Sequence, residues 1–432
     1  MTKGKYKTYN NSQVSWLGDI PEHWEIRRIK YVFKEVDSRS ETGKEDLLSV
    51  SQYTGVTKKS DKVAEGDSIS NARTLEGYKI VEKGDLVINI MLAWNGSLGI
   101  SKYNGIVSPA YCVYKNLIGN EKYFGYLFKT KNAQQEFKKQ STGIIDSRLR
   151  MYTDSFFDIK TCLPSKQEQT TIANFLDYKT EKINRFIKKK KQLIKLLNEQ
   201  KAAIINQAVT KGIYPNVSMK DSGVEWLSDI PEHWEVRKLK YVANFKSGEM
   251  ITSESISENG SFKVFGGGGF RGFTSSFTNE GEFVLIGRQG ALCGNIKYAN
   301  GKFWASEHAI VTYIIVDIEQ FFLGEILKVA NLGRLSQTAA QPGIAIGQIR
   351  IESIPVPPIQ EQKAIITHIE TESKKIDKTI FTIEKEITLV EEYKTALIAE
   401  AVTGKIDVRD FKLPQEETPL GMVAEEAAHY NK

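Results

Sequence analysis

Two stretches of this 432-residue chain are dense in side chains that hydrogen-bond to base edges and to phosphates. The first holds Ser51, Gln52, Tyr53, Lys58, Lys59, Asn89, Asn95, Arg148 and Arg150. The second holds Arg271, Arg288, Gln289, Lys297, Ser336, Gln337 and Gln341. Arginine pairs bidentately with guanine, and Asn or Gln with adenine, whereas Lys and Ser contacts to the backbone position a protein without reading sequence. Any one of these residues is also an ordinary surface side chain. The candidates are therefore the loops that carry them rather than single members.

The patterns that catalysis requires are missing. There is no G-x-x-x-x-G-K-S/T phosphate loop, no Asn/Asp-Pro-Pro-aromatic tetrapeptide of an amino-methyltransferase, no G-x-S-x-G and no H-E-x-x-H. Gly267, Gly269 and Gly272 match G-x-G-x-x-G by letter, but GFTSSFTNEGEF follows and is not a helix, so the run reads as a mobile turn and not a dinucleotide site. Of the five histidines, His23 and His233 recur in a repeat and read as structural, while Glu307 and His308 form the one pair suited to acid–base work, without a nucleophile or metal cluster beside it. The three cysteines, Cys112, Cys162 and Cys293, are scattered, which indicates neither a disulfide framework nor a zinc site and fits a reducing cytoplasm. The polar, basic start MTKGKYKTYNNSQ is no signal peptide, and no run approaches the roughly 18 apolar residues of a membrane helix.

The elements that must position these residues are organised by an internal repeat. Residues 16–32 read WLGDIPEHWEIRRIKYV and residues 226–242 read WLSDIPEHWEVRKLKYV; 13 of the 17 positions are identical. A second repeat aligns residues 167–211 on 360–404 without gaps, opening with QEQ and closing near AVT both times. The order is thus a globular segment, a long helix, a second globular segment and a second long helix. The helices follow from apolar residues at steps of four and three: Leu176, Ile183, Leu197 and Ile204, with Ile187, Ile194 and Ala208, in the first; Ile369, Ile376, Ile383, Val390 and Leu397, with Ile380, Ile387 and Ala401, in the second. Lys190, Lys201 and Lys394 interrupt this seam. Neither stretch contains an internal Pro or Gly, and Pro164 and Gly212 bracket the first. At 1.5 Å per residue each rod is about 67 Å long. Two equivalent halves related by a pseudo-twofold axis would pair these helices antiparallel.

Short β-like runs with turn signals fill residues 45–160 and 245–355, including 82–90, 106–114, 281–286 and 303–316, with helix-like patterns at 121–140 and 319–332. Each segment reads as an α+β unit. The two middles differ in sequence, as one scaffold with two different heads would. Net charge is +6, and it is uneven: residues 1–163 carry +6, residues 164–212 carry +7 and the rest is acidic. The basic first half suits a polyanion, and an uneven solvated surface explains it as well. The run Lys188, Lys189, Lys190, Lys191 reads as a solvated face or as a patch for phosphates or a partner.

The WLGDIPEHWE opening, the LPSKQEQ and PPIQEQ lead-ins to the helices and the order of the repeats resemble the specificity subunits of type I restriction–modification systems, over residues 10–408. LLSVSQYTGV (residues 47–56) and EFVLIGRQGALCGN (residues 282–295) resemble target recognition segments of that family. The resemblance implies target recognition domains at 1–163 and 213–356, a central conserved helical region at 164–212, a distal one at 357–408 and a tail at 409–432. It implies a non-catalytic subunit that recognises a bipartite double-stranded DNA target and directs adenine methylation or restriction by partners. Two methyltransferase subunits would dock on the helices, and motor–nuclease subunits would join them. S-adenosylmethionine, ATP and Mg would bind those partners and not this chain. A coiled-coil adaptor with two protein-binding heads is the alternative of another class; salt-dependent binding to random-sequence DNA separates the two.

Overall fold

The computed structural model describes residues 4–62, 72–145, 148–336 and 342–413. Its two longest elements are α-helices, Lys166–Lys211 (46 residues) and Ile359–Val402 (44 residues). Both run uninterrupted because no Pro or Gly lies within them, and a left-handed glycine follows each, Gly212 (φ 76°) and Gly404 (φ 72°). The chain forms two units, Met1–Lys190 with Glu384–Lys432, and Lys191–Ile383, so it crosses from one to the other inside each long helix. Each unit therefore contains one globular segment, the first half of the helix that follows it and the second half of the other helix.

In the first unit the expected seam positions Leu176, Ile183, Ile187, Ile387, Val390, Leu397 and Ala401 are buried. In the second, Ala208, Ile369, Ile376 and Ile383 are buried, but Ile194, Leu197, Ile204 and Ile380 are only half-buried. The lysines that interrupt the seam have partners on the opposite helix. In the first unit Lys190 meets Glu386 at 2.6 Å and Lys394 donates to Asn184 at 2.7 Å, a register that runs antiparallel. In the second unit Lys201 donates to both oxygens of Asp377 at 2.7 and 2.8 Å. These pairs are partly exposed and each contributes little energy. Their effect is to select one register over a slipped one. Of the lysine run, Lys188, Lys189 and Lys191 stay exposed.

The head of the first unit is built on a four-stranded antiparallel sheet ordered Phe33–Val36, Tyr111–Asn116, Leu86–Asn89, Leu98–Ile100. Its core is aromatic: Phe33, Tyr114, Tyr123, Phe124, Phe128, Phe137 and Phe156 are all fully buried. The helix-like stretch at 121–140 is two helices, Glu121–Leu127 and Lys131–Gln140. Thr130 causes the break: its hydroxyl donates to Leu127 O and accepts from Ala133 N, which ends one helix and caps the next. The run at 106–114 likewise divides into Gly105–Val107 and the start of Tyr111–Asn116.

A different sheet fills the second unit. Six strands are ordered Ala243–Ser247, Ala309–Ile314, Asn279–Gly287, Ile296–Ala305, Phe262–Gly266, Gly269–Thr274, and the Ile296–Ala305/Phe262–Gly266 pair is parallel. The run at 303–316 belongs to two strands, because the chain turns at Ser306, whose fully buried hydroxyl accepts from His308 N. Helix Gln320–Val329 buries Phe322, Leu323, Ile326 and Leu327 in the core of this unit.

Each unit has its own base, and the repeated residues build both. In each, the strand after the repeated tryptophan pairs with the strand that enters the long helix: Glu25–Arg28 with Lys160–Leu163, and Glu235–Lys238 with Ser353–Val356. The QEQ motif fastens that base to the head. Gln169 donates to Pro164 O and accepts from Asn120 N; Gln362 donates to Pro357 O and accepts from Glu319 N. Glu168, 5% exposed, accepts from the Tyr6 hydroxyl at 2.6 Å and the Trp24 indole at 3.1 Å, and its other oxygen lies 3.0 Å from His23 Nε2. Burial, and then the bond to Glu168, push the Tyr6 phenol above its usual range, so it remains a donor. Glu361 makes the corresponding contact to His233 at 2.7 Å. The glycines behind the helices complete the joint, since a Cβ on Gly404 would stand 2.4 Å from Pro21 and one on Gly212 would stand 3.3 Å from Trp234.

Residues 405–411 are held to the first unit: Asp407 bridges Gly4, Lys405 donates to Asp19 O, Arg409 lies 4.9 Å over the Tyr6 ring, and Phe411 packs edge-on to Phe175 at 5.2 Å. Phe411 and Arg409 are spaced to meet Phe175 and Tyr6 respectively. Residues 414–432 lie outside the described residues.

The unequal clasps give a prediction. Glu168→Ala strands three buried or half-buried donors and costs about 3 kcal/mol, whereas Glu361→Ala, with its one partner, costs roughly half as much. Urea midpoints of the two variants check this; equal midpoints contradict it.

Candidate nucleic-acid interface

In the first head, five of the candidate readers share one hairpin. Strands Leu48–Ser51 and Gly55–Lys58 pair antiparallel, and the turn between them presents Gln52 and Tyr53, the latter 86% exposed. The Ser51 hydroxyl closes the turn, lying 2.9 Å from the Thr54 hydroxyl and accepting from the Thr54 backbone N–H at 3.1 Å. Gly55 (φ 66°) lets the hairpin lie on the chain at Gly99, where an added Cβ would stand 3.2 Å from Gly55 Cα. Lys58 pairs with Asp46 at 2.6 Å, which raises its ammonium above the usual lysine range, and Lys59 follows it with its backbone N–H on Leu47 O. Lys129, whose ammonium lies 3.2 Å from the place of a Gly55 Cβ, is lowered by burial and then by Lys394. The hairpin is thus exposed at its tip and backed by cations.

The asparagines belong elsewhere. Asn89 is 5% exposed and its side-chain oxygen accepts from Met91 N. Asn95 accepts from both the backbone and the hydroxyl of Ser97. Both shape the turn after Leu86–Asn89, and Asn89 has no surface to offer a base. Arg148 is exposed at the end of a loop closed by the Thr142–Arg150 bridge, and Arg150 donates to Leu149 O. The same loop carries Ile144, 99% exposed, and Ile145, 53% exposed, which a search for polar readers passes over. Apolar side chains at such tips are the kind that wedge between base steps.

In the second head the structure brings Arg271, Arg288, Gln289 and Lys297 around the glycine run. That run forms a tight turn. Gly266 and Gly269 are paired across a two-residue hairpin turn, and added Cβ atoms would meet Arg271 Cδ (2.6 Å, from Gly266), His308 O (2.9 Å, from Gly267), Leu292 Cδ1 (2.6 Å, from Gly268) and the Lys297 stem (3.3 Å, from Gly269). The glycines are there for close packing, because the hairpin is pressed onto the 287–294 loop. Arg288 donates to Ser247 Oγ at 2.9 Å; Arg271 and Lys297 are exposed. Gln289 Oε1 lies 3.1 Å from His308 Nδ1, and His308 Nε2 lies 3.0 Å from Glu307 Oε1. The Glu307 and His308 pair is thereby tied to a candidate reader, and the nearby Ser306 hydroxyl is committed to a backbone N–H. Ser336 accepts from Gly343 N at 3.0 Å; Gln337 and Gln341 lie outside the described residues. Among the described residues no group of three or more His, Cys, Asp and Glu is placed to hold a metal ion, and no helix is long and apolar enough to cross a membrane.

Comparison with known proteins gives this geometry its context. Residues 231–389 match the family described as type I restriction modification DNA specificity domain. The chain is 35% identical to the type I restriction enzyme EcoprrI specificity subunit of Escherichia coli over 130 residues, covering 29% of this chain and 32% of that one. It is 27% identical to the MjaVIII specificity subunit of Methanocaldococcus jannaschii over 442 residues, covering 94% and 98%. Among solved structures, a chain from a study of type I R-M complex assembly and conformational transition superposes with a TM-score of 0.68 at 14% identity, covering 90% of this chain and 99% of that one. The HsdS subunit from Thermoanaerobacter tengcongensis gives 0.51 at 15% identity, covering 94% and 100%. With two unlike heads on one repeated base, the chain is similar along its length to type I restriction–modification specificity subunits, and residues 231–389 carry the match to their DNA specificity domain.

Proposed function

We propose that this chain selects the DNA sites at which a type I restriction–modification complex acts, with each head reading one half of a bipartite target, and that it carries out no chemistry itself. The observation that carries this reading is the contrast between shared base and divergent heads. The base strands and the Glu–His and Gln contacts of the clasp recur in both units, while a four-stranded sheet in one and a six-stranded sheet in the other bear different exposed readers. A protein that binds one ligand twice has no use for two heads. A protein that reads two different base sequences needs them. Each mismatched base pair costs about 1–3 kcal/mol, so two heads multiply discrimination.

Two copies of an adenine methyltransferase subunit would dock on the long helices, with motor–nuclease subunits joining that core. S-adenosylmethionine, ATP and Mg would be bound by those partners. The target adenine is then flipped into the partner's pocket, and this chain chooses where that happens. The long helices would act as a ruler that sets the spacing between half-sites.

Two outcomes follow. Exchanging residues 45–160 for the equivalent segment of another family member changes one half of the methylated motif and leaves the other; a change in both halves, read by mapping the motif, contradicts independent heads. Inserting one helical turn into Lys166–Lys211 changes the permitted spacer and not the half-site sequences, and the reverse result contradicts the ruler.

A further inference from the structure

The repeat retains residues that its own packing does not need. Ile29, Val32, Leu239 and Val242 are buried, and identity or near-identity there is explained by the core. The residues between them are on the surface. Tyr31 is 58% exposed and Tyr241 60%, yet both are tyrosine; Arg28 and Lys238 are exposed and both cationic; Lys30 and Lys240 are identical. Each lysine lies over its neighbouring tyrosine ring, at 5.1 Å for Lys30 and 4.6 Å for Lys240. The supporting backbone is also the same, with Ile29 N on Ile159 O at 2.8 Å and Leu239 N on Glu352 O at 2.7 Å. In the first unit Ile26, Arg27, Arg28, Tyr31 and Lys160 line an open recess.

Charge defines what can sit there. Arg27 and Arg237 are neutralised by Glu25 and Glu235 at 2.8 and 2.6 Å, and Arg28 is shared with Asp158 at 3.3 Å. Among the described residues no carboxylate lies within ion-pair distance of Lys30, Lys160, Lys238 or Lys240. Each unit therefore presents uncompensated ammonium groups beside an exposed phenol, close to but outside the divergent head. A ligand that meets both copies must offer the same chemistry at both, whatever the heads read. Phosphate does so, and Lys, Arg and Tyr are among its usual contacts. A protein partner fits less well, because lysine is depleted from protein–protein interfaces.

We infer that Arg28, Lys30 and Tyr31, and their counterparts Lys238, Lys240 and Tyr241, are two copies of a sequence-independent site for the DNA sugar-phosphate backbone. This rests on the reading of the chain as a DNA-specificity subunit and adds where it holds DNA without reading it. The copies set affinity and its salt dependence, and the heads set sequence.

The test is the salt dependence of binding to a random-sequence duplex, for the full chain and for the variant Arg28→Gln/Lys30→Gln/Lys238→Gln/Lys240→Gln. The expected result is a log K against log salt slope shallower by about 0.9 for each cation that meets a phosphate, with the methylated motif unchanged in cells. The charge-preserving variant Lys30→Arg/Lys240→Arg retains the wild-type slope, which separates charge from folding. An unchanged slope in the quadruple variant overturns the inference, and loss of methyltransferase co-purification alongside it assigns the patch to a protein partner. A changed motif assigns these residues to base reading and also overturns it. If the wild-type chain itself shows no salt-dependent affinity for DNA, the underlying reading falls together with this one.

Discussion

A buried carboxylate at the start of each long helix holds the architecture together. Glu168 and Glu361 stand in the first turn of their helices, where a negative charge is favoured by the helix dipole, and each reaches back to the histidine of the PEHW repeat. The flanking glutamines bind the loop that begins the helix and the residue that precedes a helix of the head. Beyond this clasp, the first head meets the helices through Lys122 and Tyr126 on Asp177 and Tyr123 on Val402 O, and the second through a core that includes Ala208, Ile365 and Ile369. With the clasp, the orientation of the head on the helix is fixed by side chains that desolvate poorly unless every bond is made. The asymmetry between the two clasps, three donors on Glu168 and one on Glu361, follows from Tyr6, which has no counterpart bonded to Glu361, and from Trp234, whose buried indole N–H, unlike that of Trp24, has no hydrogen-bond partner among the described residues.

The residues that build this frame were legible in the sequence because they are written twice. The helix limits came from Pro164, Gly212 and the four-three spacing, and the structure places the helix ends within a few residues of them. The antiparallel register was implied by symmetry, and the lysines that seemed to interrupt the seam turn out to specify it through Asp377, Glu386 and Asn184. What the sequence concealed lies at chain reversals. Thr130 splits a helix by capping it, and Ser306 splits an apolar run by holding a turn; both act through single hydroxyls, which periodicity does not register.

The candidate readers divide in the same way. Ser51, Gln52, Tyr53, Lys58 and Lys59 fall together because a hairpin is local in sequence. Arg271, Arg288, Gln289 and Lys297 come together only through the six-stranded sheet, where the parallel pairing of Phe262–Gly266 with Ile296–Ala305 carries the glycine hairpin onto the 287–294 loop. Asn89 and Asn95 have the right chemistry for a reader and use it on backbone and hydroxyl partners within the fold. Residue type alone does not distinguish an amide that reads from one that shapes a turn; burial and hydrogen-bond partners do.

The central claim is that this chain decides where the complex acts. Single-molecule methylome sequencing addresses it most directly, in a methylation-free host expressing the neighbouring methyltransferase subunit with and without this chain. The account predicts a split, spacer-containing adenine motif methylated only when the chain is present. Identical methylation in the two cultures contradicts it.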